Sequence, residues 1–273
     1  MQARTLIVVA LPAEARALID YYRLRRVVQS HAFAVYQNNA EDTWLAVSGI
    51  GKVSMAAACA HLHHCSGANA NDVWLNIGIA GHAEYSVGDV LLVHSATDAN
   101  TGRTHYPPIL FKTGVASCGI VTVDKVRDDY PTNAAVDMEA SAFFTIASRY
   151  STAELVHSIK VISDNEQHPF AAVTREKTQE WIAQVLPKID ELNTRLREIA
   201  QQNERIEFAM PDCLSHLRFS FSQTQQCEAL LRRWHALSEG STLPAAEFAS
   251  ARSAKQALTT LQQLIDDRAV TYS

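Results

Sequence analysis

The chain has no run of about 18 apolar residues, so it offers no candidate membrane-spanning helix. It has no excess of positive charge: 24 Lys and Arg stand against 29 Asp and Glu, for a net charge of -5 at pH 7. That balance argues against a general nucleic-acid surface. No CxxC occurs among the five cysteines, Cys59, Cys65, Cys118, Cys213 and Cys227. An odd number at irregular spacing excludes a disulfide framework and suits free thiols in a reducing cytosol. Internal repeats and low-complexity tracts are also missing. A hydrophobic content of 47% with 19% charged residues is too apolar for disorder. What remains is an ordinary globular composition, and 273 residues suffice for one large α/β domain or a domain plus an appendage. The run LIVVAL, Leu6 to Leu11, follows Arg4 as a weak signal peptide would. It is shorter than an h-region of about seven residues, and Pro12 and Glu14 follow at once. It reads as a buried first strand, and the expected location is the cytoplasm.

Apolar runs alternate with helical patterns along the first two hundred residues. TLIVVAL, FAVYQ, TWLAVSG, VWLNIGIAG, VGDVLLVHSATD, GIVTVDK and LVHSIKVISDN read as strands. AEARALIDYY, GKVSMAAACAHLHH and DMEASAFFTIASRY read as helices, and TREKTQEWIAQVLPKIDELNTRLREIA as a long helix kinked at Pro187. This alternation predicts an α/β domain around a mainly parallel sheet, with ligands at the strand C-terminal ends. After about Gln202 the pattern changes. FAMPDCLSHLRFSFS has little periodicity, while SQTQQCEALLRRWHAL and PAAEFASARSAKQALTTLQQLIDD look amphipathic and helical. The predicted organisation is a catalytic domain over residues 1–204 and a helical appendage over 205–273. On the appendage Arg232, Arg233 and Trp234 read as a solvated basic face beside a packed Trp. Contact with an acidic protein partner is the alternative.

Several strand ends carry polar groups that need a reason. Glu14 stands just past the first strand, at a helix entry, where compensation of the helix dipole would explain it alone. SGIGKVS and NIGIAG place glycines after strands, where backbone can approach a ligand or another backbone closely. VISDN closes an apolar strand with Ser163 and Asp164, as a cap for the next segment or as groups acting on a ligand. VDMEASAFF, Val136 to Phe144, sets Asp137 and Glu139 into a run that is otherwise small or apolar. Acids are almost never buried unless paired or used. AHLHHC brings His61, His64 and Cys65 near one helical face, but no further ligand converges in sequence, and the stretch reads as a polar helix face. No metal and no cofactor are expected.

Taken together and in order, SGIGKV, NIGIAG followed by VGDVLLV, VDMEA and VISD resemble the purine nucleoside phosphorylase and uridine phosphorylase superfamily. The nucleosidase branch, the methylthioadenosine/S-adenosylhomocysteine nucleosidases and their relatives, is the most similar. The resemblance covers roughly residues 5 to 200. It implies a three-layer α/β fold with a central mixed sheet, assembled as a homodimer or larger homo-oligomer. It also implies cleavage of the N-glycosidic bond of a purine nucleoside. By that resemblance Glu14 positions and activates water and Asp164 protonates the leaving base. Glu139 binds ribose hydroxyls, Met138 packs on the sugar, and Ser163, Ala80 and Gly81 complete the substrate site. Asp137 is expected to point elsewhere, in a helix-start or structural role.

The chemistry is consistent with such a set. Breaking the bond from C1′ to nitrogen builds positive charge on the ribose, which a carboxylate in a dry site stabilises. The base leaves poorly unless protonated, so an acid is needed at its ring nitrogen. A third carboxylate orients water. Phosphorylases of the superfamily instead hold phosphate with arginines and a hydroxyl. Here Asn76 and Ile79 occupy the corresponding Arg and hydroxyl positions, and Glu14 would repel phosphate. Arg16 reads as a surface or intersubunit pair. Hydrolysis is therefore favoured. The alternatives are a phosphorylase with phosphate as co-substrate, or a catalytically weak nucleoside-binding or assembly subunit. The chain departs from the nucleosidases in several places. Lys160 replaces an Arg four residues before Asp164, an aromatic is replaced near Val126, and a helix is missing where TGRTHYPPILFKTG stands. In that segment Arg103, His105 and Tyr106 either line the 5′ end of the substrate or form a surface turn. The substrate need not be methylthioadenosine.

Overall fold

Strand β1 (Thr5–Val9) is buried at all of its residues. Its side chains alternate between two cores: Ile7 and Val9 join the cluster on one face, Leu6 and Val8 the cluster on the other. A strand covered on both faces reads as an unbroken apolar run, which is why LIVVAL lacks polar alternation. The computed structural model describes residues 3–40, 42–126, 129–202, 210–238 and 241–268. By their contacts the residues fall into two compact units, Met1–Asn203 and Glu204–Ser273. The expected boundary at 204/205 lies outside the described residues.

In the first unit β1 leads to α1 (Pro12–Tyr21), then β2 (Arg25–Arg26), β3 (Ala34–Gln37), β4 (Thr43–Val47) and α2 (Lys52–Ser66). Next come β5 (Val73–Gly81), β6 (Val90–Asp98), β7 (Thr104–His105), β8 (Ala116–Thr122), β9 (Ala134–Asp137) and α3 (Ala140–Ala147). Strand β10 (Val156–Asp164) and α4 (Arg175–Gln202) complete the unit. Helices α1 and α4 cover one face of the sheet through Leu18, Ile182, Val185 and Ile189. Helices α2 and α3 cover the other through Met55, Leu62, Phe143 and Phe144. This is the expected three-layer α/β architecture with a mixed sheet.

The sheet topology brings the functional strand ends together. Parallel strands β4, β1, β5 and β10 lie side by side, with β3 and β2 added antiparallel at the β4 edge. Strand β5 pairs with β1 only as far as Asn76; farther on, Gly81 pairs with Val136 of β9. From β10 the ladder runs through β6 and β8 to β9, so five strands close on themselves. The closure gathers the C-terminal ends of β5, β9 and β10, since Gly81 is the partner of both Val136 and Asp164.

Two predicted elements change shape. DMEASAFFTIASRY is not helical from its first residue: β9 runs through Asp137 and α3 begins at Ala140. Asp137 itself causes the late start, because its Oδ2 accepts the Ala140 N–H at 2.8 Å and satisfies one of the helix's open donors. The long helix expected around Pro187 is present as α4, one helix of 28 residues. The second unit contains α5 (Phe221–Leu237), α6 (Ala245–Phe248) and α7 (Ala254–Arg268), the last two replacing a single predicted helix. Ser220 caps α5 in a reciprocal box with Gln223. The unit's core joins Leu230, Trp234, Phe248, Leu258 and Leu261. Trp234 donates its indole N–H to the Ser241 carbonyl at 3.0 Å and lies under the Arg268 guanidinium at 4.3 Å, while Arg232 and Arg233 are exposed. None of the described helices is long and apolar enough to cross a membrane.

Candidate active site

At the gathered strand ends lies a cavity that opens to solvent. Its wall contains the seven residues that the resemblance assigns to catalysis and substrate binding: Glu14, Ala80, Gly81, Met138, Glu139, Ser163 and Asp164. They come from four strand ends or the turns that follow them, those of β1, β5, β9 and β10, which is how a short sequence motif at each end becomes one site.

Glu14 enters from the first turn of α1 and is 2% exposed. Its Oε2 accepts the N–H groups of Ala10 and Leu11 at 2.8 and 2.7 Å, and its Oε1 accepts the Ile79 N–H at 3.0 Å. The carboxylate thus caps its own helix and ties β1 to β5. Gly78 permits the approach, since a Cβ there would sit 2.8 Å from Glu14 Oε1. Burial pushes the Glu14 pKa up, against the opposing pull of Lys160 and the three amides.

Lys160 is the cation at the centre. It stands in the middle of β10, only 2% exposed, with Nζ 2.9 Å from Asp137 Oδ2. Burial works against its charge, but Asp137, Glu139 and Glu14 outweigh that cost and push its pKa up. Asp137 is fixed from three sides: by Lys160, by the Thr122 hydroxyl donating to Oδ1 at 2.8 Å, and by the Ala140 amide. As expected, Asp137 serves the helix start and points away from the site: its side chain is fully buried in these contacts, and the residue only borders the cavity where β9 ends. Glu139 accepts the Gly51 N–H through Oε1 at 2.7 Å. Burial first, and then the charge of Asp137, push its pKa up to about 7.

Asp164 is held at the far wall. Ser163 Oγ hydrogen-bonds its Oδ1, and the Tyr130 hydroxyl donates to its Oδ2 at 2.6 Å. Gly81 makes this packing possible: a Cβ at that position would lie 2.5 Å from Asp164 Oδ2 and collide with the Tyr130 ring. Val126, at the position of the missing aromatic, is half exposed at the cavity, and the aromatic rings in the wall are those of Tyr130 and Phe170.

Asn76, expected from the resemblance to stand where phosphorylases carry an arginine, is engaged within the sheet. It donates through Nδ2 to the Val8 carbonyl at 3.1 Å and accepts the Ser158 hydroxyl at 2.9 Å. No arginine appears among the described residues lining the cavity. Arg16 pairs with Asp20 on the surface of α1 at 3.0 Å. Arg103 and His105 do not line this cavity: they border a second one with Lys52, Asp98, Ser141 and Thr145, and Tyr106 is exposed. The short β7 pairs with β6 and carries them there, so the reading that places them at the substrate's 5′ end is corrected. His61 spends its Nε2 on Ser30 at 2.8 Å, with Cys65 Sγ at 3.4 Å.

Sequence reasoning missed Tyr130 as a site residue and treated Lys160 only as a substitution. Lys160 had a signal, a lone cation in the apolar strand VHSIKVISD, where burial demands a partner. Tyr130 had none, because its loop reaches Asp164 only through the fold.

Comparison with known proteins places the chain among relatives of this architecture. The phosphorylase superfamily model matches residues 4–117. No curated protein matches the chain by sequence. Among solved structures, the 5′-methylthioadenosine/S-adenosylhomocysteine nucleosidase of Helicobacter pylori superposes with a TM-score of 0.58 at 12% identity, covering 71% of this chain and 99% of that one. The enzyme of the same name from S. pneumoniae gives 0.55 at 20% identity, covering 72% and 99%. Futalosine hydrolase of Helicobacter pylori gives 0.54 at 14% identity, covering 70% and 99%. These likenesses establish the fold.

Proposed function

We propose that this protein hydrolyses the N-glycosidic bond of a purine nucleoside and releases the free base. The observation that carries the reading is the convergence of Glu14, Glu139 and Asp164 on one cavity whose wall contains no arginine among the described residues. The similar structures named nucleosidases and hydrolases support it.

In this reading the base lies toward Asp164 and the sugar toward Glu139 and Met138. Asp164 delivers a proton to a ring nitrogen as the bond to C1′ breaks, and the electron pair leaves with the base. Positive charge growing on the ribose meets a site with three carboxylates beside a single ammonium, Lys160, so the site is net negative when all are ionised. Glu139 accepts hydrogen bonds from the ribose hydroxyls. Glu14, already held by three amides, presents its remaining acceptor capacity to a water that attacks C1′. The same negative field disfavours phosphate, and Asn76 and Ile79 offer it neither a fork of donors nor a hydroxyl.

The test is a panel of purine nucleosides, with and without 5′ substituents, assayed for base release with and without phosphate. Phosphate-independent release is expected. Asp164→Asn and Glu14→Gln should each lower kcat by about 10²–10⁴. Release that requires phosphate would move the protein to the phosphorylases, and turnover unchanged in Asp164→Asn would remove the acid's assigned role.

A further inference from the structure

Two hydroxyls in the cavity wall touch the group assigned to protonate the base, those of Ser163 and Tyr130, and only the second is an acidic phenol. The Tyr130 phenol lies 2.6 Å from Asp164 Oδ2. The other carboxylate oxygen is held by Ser163, and the backbone of Asp164 is fixed by its carbonyl accepting the His82 N–H at 3.0 Å. The ring packs over Gly81, in the space that a Cβ would fill, so this contact is built into the wall. The oxygen of Asp164 that faces Tyr130 therefore reaches the cavity with a phenol already beside it.

We propose that the leaving-group acid is the Tyr130–Asp164 pair, with Tyr130 passing the proton to the base. The proposal rests on the nucleoside-hydrolysis reading. Asp164, when protonated, donates to the phenol oxygen, and the phenol O–H turns to the ring nitrogen of the base. As the C1′–N bond breaks and its electron pair moves onto the base, the phenol proton goes to that nitrogen and the Asp164 proton goes to the phenol oxygen. Tyr130 ends as it began and Asp164 is left ionised; the water that adds to C1′ gives its proton to Glu14, and exchange with solvent returns a proton to Asp164 for the next turnover. A short O–H···O contact between two oxygen acids suits such a transfer, since both heavy atoms are already at hydrogen-bond distance.

The test compares two substrates in wild type, Tyr130→Phe, Asp164→Asn and the double variant. One substrate is a purine nucleoside, whose base needs a proton to leave. The other is 4-nitrophenyl riboside, whose leaving group departs as an anion. Tyr130→Phe is expected to lower kcat on the nucleoside by about 10-fold or more and to leave the nitrophenyl riboside within about twofold of wild type. The double variant should be no slower than Asp164→Asn, because two members of one unit are not additive. Equal losses on both substrates would reduce Tyr130 to a wall residue, and an unchanged nucleoside rate would remove it from the chemistry. A multiplicative loss in the double variant would also overturn the pairing. If wild-type protein cleaves the nitrophenyl riboside but Tyr130→Phe behaves like wild type on both substrates, hydrolysis stands and this proposal alone falls. A wild-type protein that cleaves neither substrate removes the hydrolysis reading and the proposal with it. Melting curves of each variant report whether it is folded.

Discussion

Two lysines in the first unit each gather carboxylates, and water makes them opposites. Lys52 meets Asp98 and Asp124 at 2.8 Å each, with side chains 20%, 14% and 52% exposed. Hydrogen bonds from Lys52, with further donors on each acid, hold Asp98 and Asp124 below the usual carboxylate range, so this cluster stays charged across the neutral range. Lys160 meets Asp137 at 2.9 Å with both side chains buried, and Glu14 and Glu139 lie within its field. There burial pushes both glutamates up, Glu139 to about 7. A lysine beside an aspartate at nearly the same distance gives a partly solvated salt bridge in one place and a buried ion pair in the other. Desolvation, not separation, decides which.

The strongest way to break this contrast is to remove the buried cation. Lys160→Met takes the ammonium from beneath Asp137 and leaves buried carboxylates without a counter-charge. Removing one partner of a buried pair costs about 3–5 kcal/mol, and denaturant unfolding should show a loss of that size. A loss below about 1 kcal/mol would mean that water reaches Asp137 once the lysine is gone. In that case the two clusters would be alike.

Next comes the protonation of Glu139. With a folded pKa of about 7, raised from 4.5, Glu139 holds a proton that the unfolded chain has already lost between those values. The folded state then binds more protons, so the stability from this group is fully present below pH 4.5, falls as pH rises, and is gone above about 7. Glu139→Gln lacks that slope. Its melting temperature relative to wild type should therefore climb between pH 5 and pH 8, by the equivalent of up to about 3 kcal/mol. A difference that stays flat with pH would show that Lys160 keeps Glu139 ionised in the fold.

The legible part of this molecule is the part written in local chemistry. Unbroken apolar runs such as LIVVAL and VWLNIGIAG mark strands covered on both faces, and acids at strand ends mark the loops that line the cavity. Glu14, Glu139 and Asp164 were visible because a carboxylate beside an apolar run is costly and stands out. The start of α3 was misplaced because Asp137 satisfies the Ala140 amide from an extended residue, a choice that helix propensity does not record. The Lys160–Asp137 pair spans two strands distant in sequence, and its partner depended on the closure of five strands, which no window of residues contains. Tyr130 was hidden for a further reason: Gly81 admits it by lacking a side chain, and an absence at one position says nothing about which ring arrives from another.

The smallest expected effect sharpens the contrast from the solvent side. Lys52→Met removes two ion pairs at once, yet pairs that water still reaches contribute little because it screens them and ordering the long side chain is unfavourable. The melting temperature should move by about 2 °C or less at low salt. At 1 M salt, where the screening length is about 3 Å, that difference should disappear. The Lys160→Met loss should survive the same salt, since ions do not enter a site whose cation is 2% exposed. Parallel melts of the two variants across salt thus separate screening from desolvation. A Lys52→Met effect that persists in high salt would place Asp98, the less exposed of its two partners, on the buried side of the comparison.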